Sequence, residues 1–363
     1  VRKTEPVSDT IVIQSHKGPY EAAFVEDAMQ RLDGDIPEGT HFIIDAKIAE
    51  LYAGEMENIL ASPSVLLIEA HERNKSLDKF PAYVDHLVAR KIRRDQTLVA
   101  IGGGIIQDIT CFLAATLLRG VEWRFLPTTL LAQCDSCIGS KSSINSGDAK
   151  NILGTFTPPK RVDISTRFLA TLDAHDIRSG VGEMLKVHTI DGPASFDAIA
   201  ADFDALFTDP SVMETYIRAS LLVKKGYIET DEFDRGMRNI FNYGHSFGHA
   251  IEAATNFGIP HGIAVTIGMD LANWISPHLG VGAEIHFERM HATLRANFDG
   301  YEAVPIALDP FLTALSKDKK NVGSGTVALI LPDPDARVFK DNYPADDRFR
   351  ALCAEYLQEV RPQ

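Results

Sequence analysis

The chain has 363 residues, 45% of them hydrophobic and 24% charged, with a formal net charge of −14. The length predicts two domains in place of a single core, and the composition is ordinary for a globular protein. The acidic balance argues against nucleic acid or an anionic membrane surface as the main partner, so any anionic ligand must be drawn in by a local basic cluster.

The opening stretch VRKTEPVSDT has no apolar region behind its positive charges, and no later apolar run approaches the ~20 residues of a spanning helix. The expected location is the cytoplasm, with no membrane partner. HFIIDA (41–46) and SVLLIEA (64–70) are short apolar runs with β-branched residues and predict strands. LVARKIRRDQ ends a helix. TLVAI (97–101) predicts another buried strand, which stops at Gly102-Gly103-Gly104. The helical pattern IIQDITCFLAATLLRG follows, and then VEWRFLPTT, a strand closed by a proline turn. Strands alternating with helices predict a parallel α/β sheet of the Rossmann type.

Three glycines between a strand and a helix let backbone approach a phosphate, and the helix start offers free N–H groups. A tight strand-to-helix turn explains the same residues. The next segment, QCDSCIGSKSSINSGDAKNILGTF (133–156), reads as a polar loop of small residues carrying Lys141, Lys150 and Asn151. It suits either an anion pocket or a solvated surface. Cys134 and Cys137 form a C-x-x-C with no second cysteine pair, which predicts packing and not a metal or redox motif.

From about residue 165 the pattern becomes mainly helical, through DAHDIRSGVGEMLKVHTI, SVMETYIRASLLVKKGYIE, GHSFGHAIEAATNFG and HGIAVTIGMDLANWISPHL. The predicted organisation is an α/β domain over residues 1–160 and a helical domain over 161–363. A cleft between them is the natural place for a site.

In NYGHSFGHAIE, His249 lies about +40° and Glu252 about −20° from His245 around a helix. Phe247, Ala250, Ile251 and Ala254 lie opposite. Histidines at i, i+4 can share a metal, but Ser246 stands where H-E-x-x-H has its glutamate, which argues against a zinc protease. His261 is a further candidate ligand. Glu183 is the best acidic candidate, although an i, i+3 ion pair with Lys186 also explains it.

Taken in order, GGGIIQD, LLRG, PTTLLAQCDSCIGSKSSIN, KNILGTF, GEMLK, DEFDRGMRNIFNYGHSFGHAIE, HGIAVTIGM and DKKN form a set that resembles the 3-dehydroquinate synthases and the wider sugar-phosphate cyclases. The resemblance spans roughly residues 40–330. It implies bound NAD and one divalent metal, usually zinc, with cobalt or another divalent ion also suited to such a site. It implies Glu183, His245 and His261 as metal ligands, and His249 as an unligated group for hydrogen bonding and proton relay. Lys141, Lys186, Lys224, Arg238, Asn242 and one lysine of the pair Lys319–Lys320 match substrate positions. Asp135 matches an acidic position near nicotinamide and substrate. Lys150, Asn151 and Arg119 match phosphate contacts, the arginine reaching across the interface of a homodimer. Asp45, Glu72, Lys75, Gly103, Gly104, Asp108, Thr128 and Thr129 match NAD positions.

The implied reaction converts 3-deoxy-arabino-heptulosonate 7-phosphate to 3-dehydroquinate and phosphate. It proceeds by transient oxidation, phosphate elimination, re-reduction and intramolecular aldol closure, within aromatic amino acid biosynthesis. Departures from the family pattern are Lys47, where an asparagine is common; Gln107 for a glycine in GGGxxGD; GSKSS for GGKTG; HGI for HGE; and Asp234 for glutamate. Lys141 with Arg238 suits a substrate carboxylate, while the serine-rich loop fits a secondary-metabolism paralogue acting on another sugar phosphate. A metal-dependent polyol or glycerol dehydrogenase shares the architecture but has no use for the lysine–asparagine phosphate cluster. A catalytically inactive NAD-binding protein has no use for the Glu–His–His set.

Overall fold

A computed structural model describes residues 9–147, 149–316 and 325–362. The chain divides into two compact units. The first is the chain up to Leu172 together with Lys224–Phe233; the second is Asp173–Val223 and the chain from Asp234 onward.

The first unit is built on a seven-stranded sheet. Its strands are β1 (Thr10–Ile13), β2 (Tyr20–Phe24), β3 (Thr40–Asp45), β4 (Val65–Ile68), β5 (Thr97–Gly102), β6 (Glu122–Pro127) and β9 (Arg161–Ile164). Their order is β1-β2-β9-β6-β5-β3-β4, and every pairing except β1 with β2 is parallel. β3 and β5 are almost continuously buried, which is why both read as unbroken apolar runs. The chain adds β4 on one side of β3 and β5 on the other. The strand order therefore reverses between β3 and β5, where doubly wound sheets bind ligands beyond the strand ends.

Asp45 ends β3, and Gly102 ends β5 opposite Pro127 of β6. Helix α1 (Gly104–Thr116) starts directly after β5 with Gly103 as its cap. A Cβ on Gly103 would lie 2.9 Å from Thr129 Cγ2, so the glycine is required for this close approach.

The stretch read as a polar loop is more ordered than its composition suggested. It forms a π-helical turn (Ala132–Ser136) and an antiparallel hairpin of β7 (Lys141–Ser146) and β8 (Ala149–Phe156). β8 is exposed along nearly its whole length, so it shows no apolar alternation for a sequence reading to detect. Cys134 and Cys137 are buried thiols outside any disulfide, and burial pushes the Cys137 thiol up to about 12.

The second unit packs helices with a two-stranded antiparallel sheet of β10 (Thr326–Pro332) and β11 (Val338–Pro344). Its main helices are α2 (Ala174–Asp191), α3 (Pro210–Thr230, whose end from Lys224 groups with the first unit), α4 (His245–Ala254) and α5 (His261–His278). Glycines let α5 approach α2 and α4 at backbone distance. A Cβ on Gly182 would lie 2.3 Å from the Gly262 carbonyl oxygen, and one on Gly268 would lie 2.1 Å from that of Gly244. Among the described residues, no helix is long and apolar enough to cross a membrane.

Candidate metal centre and dinucleotide turn

The close crossings of α5 determine what meets at its start. Gly182 precedes Glu183 on α2, and Gly262 follows His261 at the first residue of α5. Their contact carries the two functional side chains to each other. Glu183 is 2% exposed; its Oε2 accepts from Lys186 Nζ at 2.5 Å. Its Oε1 is buried without a hydrogen-bond partner, 3.6 Å from His245 Nε2 and 3.4 Å from His261 Nε2.

Both histidines are held by their other nitrogen. His245 Nδ1 lies 3.2 Å from the Tyr243 carbonyl oxygen, and His261 Nδ1 lies 3.1 Å from Glu252 Oε2. Each acceptor calls for Nδ1–H, so Nε2 is the nitrogen of each ring that faces Glu183 Oε1. An orphaned carboxylate oxygen facing two such nitrogens is a donor set that fits a divalent metal. One ligand atom from each of His245, His249 and His261 also lies within 4.8 Å of the others, so the geometry brings all three rings together.

The electrostatics follow from these contacts. Burial works to raise the Glu183 carboxyl, but Lys186, His245 and His261 outweigh it and hold it well below the usual carboxylate range. Burial dominates at His245 and holds it well below the usual histidine range, against the pull of Glu183. At His261 burial is overcome by the two carboxylates that flank the ring, Glu183 and Glu252, which push it up to about 10. Lys186 Nζ sits 5.7 Å above the Phe241 ring, on the short helix Met237–Asn242 that also carries Arg238 and Asn242. Arg238 is buried, and Asn242 Nδ2 donates to the Asn239 carbonyl at 3.0 Å.

The first unit gathers a second cluster. Lys75 is buried, and its Nζ lies 3.0 Å from Asp108 Oδ2, 3.0 Å from Asn151 Oδ1 and 3.6 Å from Glu72 Oε1. Asp108 Oδ1 accepts from the Ser143 amide at 3.1 Å; burial pushes its carboxyl up against the pull of Lys75. Asn145 donates to Glu72 Oε1 at 2.8 Å and accepts from the Asn151 amide at 2.8 Å. One network thus joins the resemblance-assigned NAD residues Glu72, Lys75 and Asp108 to the phosphate residue Asn151.

Thr128 donates its amide to the Gly102 carbonyl at 2.9 Å, and its buried hydroxyl has no partner. Asp45 caps the helix after β3 through the Lys47 amide at 3.1 Å. Gly103, Gly104 and the unpaired N–H groups that begin α1 form a cradle that fits a dinucleotide phosphate. Lys224 Nζ lies 2.5 Å from both the Oδ1 and the carbonyl oxygen of Asp135. Lys141 and Lys150 are exposed on the hairpin. Arg119 is exposed in a turn where Leu118, Arg119 and Gly120 all have positive φ (52°, 67° and 125°). Lys319 and Lys320 lie outside the described residues.

The sequence alone assigns Glu252 no role, although its helical position beside His245 is a signal for one. Asn145 and Tyr243 carried no signal, because each acts through a contact made only in the folded chain.

The family model described as 3-dehydroquinate synthase N-terminal matches residues 65–179, and the C-terminal model matches 180–321. A 3-dehydroquinate synthase of Acidithiobacillus ferrooxidans is 36% identical over 295 residues, 80% of this chain and 81% of the relative. The structure of a 2-epi-5-epi-valiolone synthase from Streptomyces hygroscopicus, with NAD+ and Zn2+ bound, matches at 26% identity and a TM-score of 0.79, covering 99% of both chains. A 2-deoxy-scyllo-inosose synthase complexed with carbaglucose-6-phosphate, NAD+ and Co2+ shares the fold at 24% identity and a TM-score of 0.81, covering 96% of this chain and 99% of that one.

Proposed function

The chain belongs to the 3-dehydroquinate synthase family, and from that membership we propose the roles its residues play in an NAD- and metal-dependent sugar-phosphate cyclase. The reaction converts 3-deoxy-arabino-heptulosonate 7-phosphate to 3-dehydroquinate and phosphate, making the enzyme a phosphate-eliminating carbon–oxygen lyase of the shikimate pathway. When bound, the dinucleotide supplies a reversible hydride acceptor, and the metal a Lewis acid at the oxygen being oxidised.

Glu183, His245 and His261 hold the metal. The observation that carries this is the orphaned Glu183 Oε1, with two histidine Nε2 atoms directed at it. Lys186 neutralises the other carboxylate oxygen. His249 is exposed and stays off the metal to relay protons. Asn242, Arg238, Lys141 and Lys224 bind the substrate, with Lys141 and Arg238 on its carboxylate. Lys150 and Asn151 orient the phosphate so that its own oxygen can take the proton removed in elimination. Asp45, Glu72, Lys75, Gly103, Gly104, Asp108, Thr128 and Thr129 hold NAD. Asp135, paired with Lys224, is the acid beside the reacting centre. Arg119, exposed on its left-handed turn, suits a contact with the phosphate of a second copy in a homodimer. Four buried cysteines held as thiols agree with the reducing cytoplasm.

The test is incubation with NAD, zinc and 3-deoxy-arabino-heptulosonate 7-phosphate. Phosphate release without net NADH is the expected result. Steady NADH accumulation with a polyol would assign a dehydrogenase. Phosphate release from sedoheptulose 7-phosphate or glucose 6-phosphate alone would assign a paralogous cyclase.

A further inference from the structure

Gln107 departs from the family's glycine, and its amide is committed to one neighbour. Gln107 Nε2 donates to the Ser136 carbonyl at 2.6 Å, and Ser136 Oγ donates to Gln107 Oε1 at 2.6 Å. Two reciprocal bonds therefore clamp the first turn of α1 to the π-turn Ala132–Ser136. Gln107 is buried, so this exchange takes place away from water. A glycine at 107 makes neither bond.

A π-turn is poorly self-supporting and depends on its surroundings. Among the described residues, three side chains anchor this one. Gln133 Nε2 donates to the carbonyls of Pro127 at 3.0 Å and Ser165 at 2.8 Å. Lys224 holds Asp135 by its carboxylate and its carbonyl. Gln107 holds the next residue. Asp135 is thus held directly by a charged anchor, Lys224, and the residue after it by a neutral one, Gln107. The neutral one adds no charge beside the Asp135–Lys224 pair, so it can fix the backbone without disturbing that pair.

We propose that Gln107 is a positioning residue for Asp135, with the Gln107–Ser136 clamp fixing the π-turn so that the Asp135 carboxylate and its Lys224 partner keep one geometry beside the start of α1. This rests on the reading of Asp135 as the active-site acid. Without the clamp the Ser136 carbonyl and hydroxyl lose their partner, and the turn is free to shift the carboxylate while both domains stay folded.

The experiment is a double-mutant cycle read as phosphate release by the NAD- and zinc-loaded enzyme. Gln107→Met, nearly equal in volume, should lower kcat about tenfold through misplacement of a reacting group, with KM for the sugar phosphate and the zinc content unchanged. Asp135→Asn should lower kcat further, and the double variant should be no slower than Asp135→Asn alone. Ser136→Ala, which keeps the carbonyl bond, should lose less than Gln107→Met, and serves if the latter does not fold. Wild-type kcat in Gln107→Met, or effects that multiply in the double variant, would overturn the inference. Wild-type kcat in Asp135→Asn would instead bring down the reading of Asp135 on which it rests.

Discussion

Glu252 holds His261 by the nitrogen that faces away from Glu183, its Oε2 3.1 Å from His261 Nδ1. The carboxylate fixes the ring and makes Nε2 a stronger donor, as second-sphere carboxylates do at metal-bound histidines. Glu252→Ala is expected to weaken zinc about 10–100-fold, and Glu252→Gln, which keeps an acceptor, to weaken it less. Competition of the metal-free protein with a chromogenic chelator measures both. Equal affinities in all three proteins would leave Glu252 without a part in the site.

Metal binding should also be pH-dependent, with a sign set by His261. In the metal-free protein Glu183 and Glu252 push this histidine up to about 10, so it carries a proton at neutral pH. Ligation through Nε2 must displace that proton. Glu183, held well below the usual carboxylate range, releases none. Apparent zinc affinity should therefore rise about tenfold per pH unit below pH 10 and level off above it. Proton release into a weakly buffered indicator, alongside Kd at several pH values, tests this. A flat profile would mean that His261 is neutral before the metal arrives.

The helical face of His245, His249 and Glu252 was legible in the sequence because the 3.6-residue period alone puts these residues together. Their meeting with Glu183 was not, because it depends on how closely α2 and α5 cross. The motif glycines Gly182 and Gly262 were visible as letters, but the close approach that leaves no room for a Cβ on Gly182 exists only between two helices. The parallel sheet was readable from its unbroken apolar strands. The hairpin β7–β8 was not, since its stability lies in polar contacts such as Asn145 with Glu72 and Ser143 with Asp108, which leave no apolar pattern.

His245 and His249 differ in what their surroundings let them do. His245 is held at Nδ1 by the Tyr243 carbonyl and points Nε2 at Glu183, whereas His249 is the exposed member of the three. His245→Ala should lose the metal. His249→Ala should keep it and lose about 10²–10⁴-fold in kcat, the range for a general acid–base group. Elemental analysis beside phosphate-release rates separates the two. Equal metal loss in both variants would place His249 on the metal as well.

The glycine crossing makes a prediction about stability and chemistry together. A Cβ on Gly182 would stand 2.3 Å from the Gly262 carbonyl oxygen and 2.5 Å from Thr266 Oγ1. The carbonyl belongs to backbone and cannot rotate away, so Gly182→Ala must push α2 and α5 apart. Overpacking of this kind costs about 1–3 kcal/mol, or about 3–10 °C in Tm for a unit of this size. Because Glu183 is the next residue and His261 precedes Gly262, the same displacement should separate the ligand atoms and weaken zinc by at least about tenfold. Gly226 on α3 is the control, since a Cβ there meets nothing within 4 Å. Gly226→Ala should leave zinc binding unchanged and raise stability by about 0.5–1 kcal/mol through helix propensity alone. Thermal melts and zinc titrations of the two variants decide the matter. If Gly182→Ala melts and binds zinc like the parent, the two helices can part without moving Glu183, and their crossing does not set the metal site.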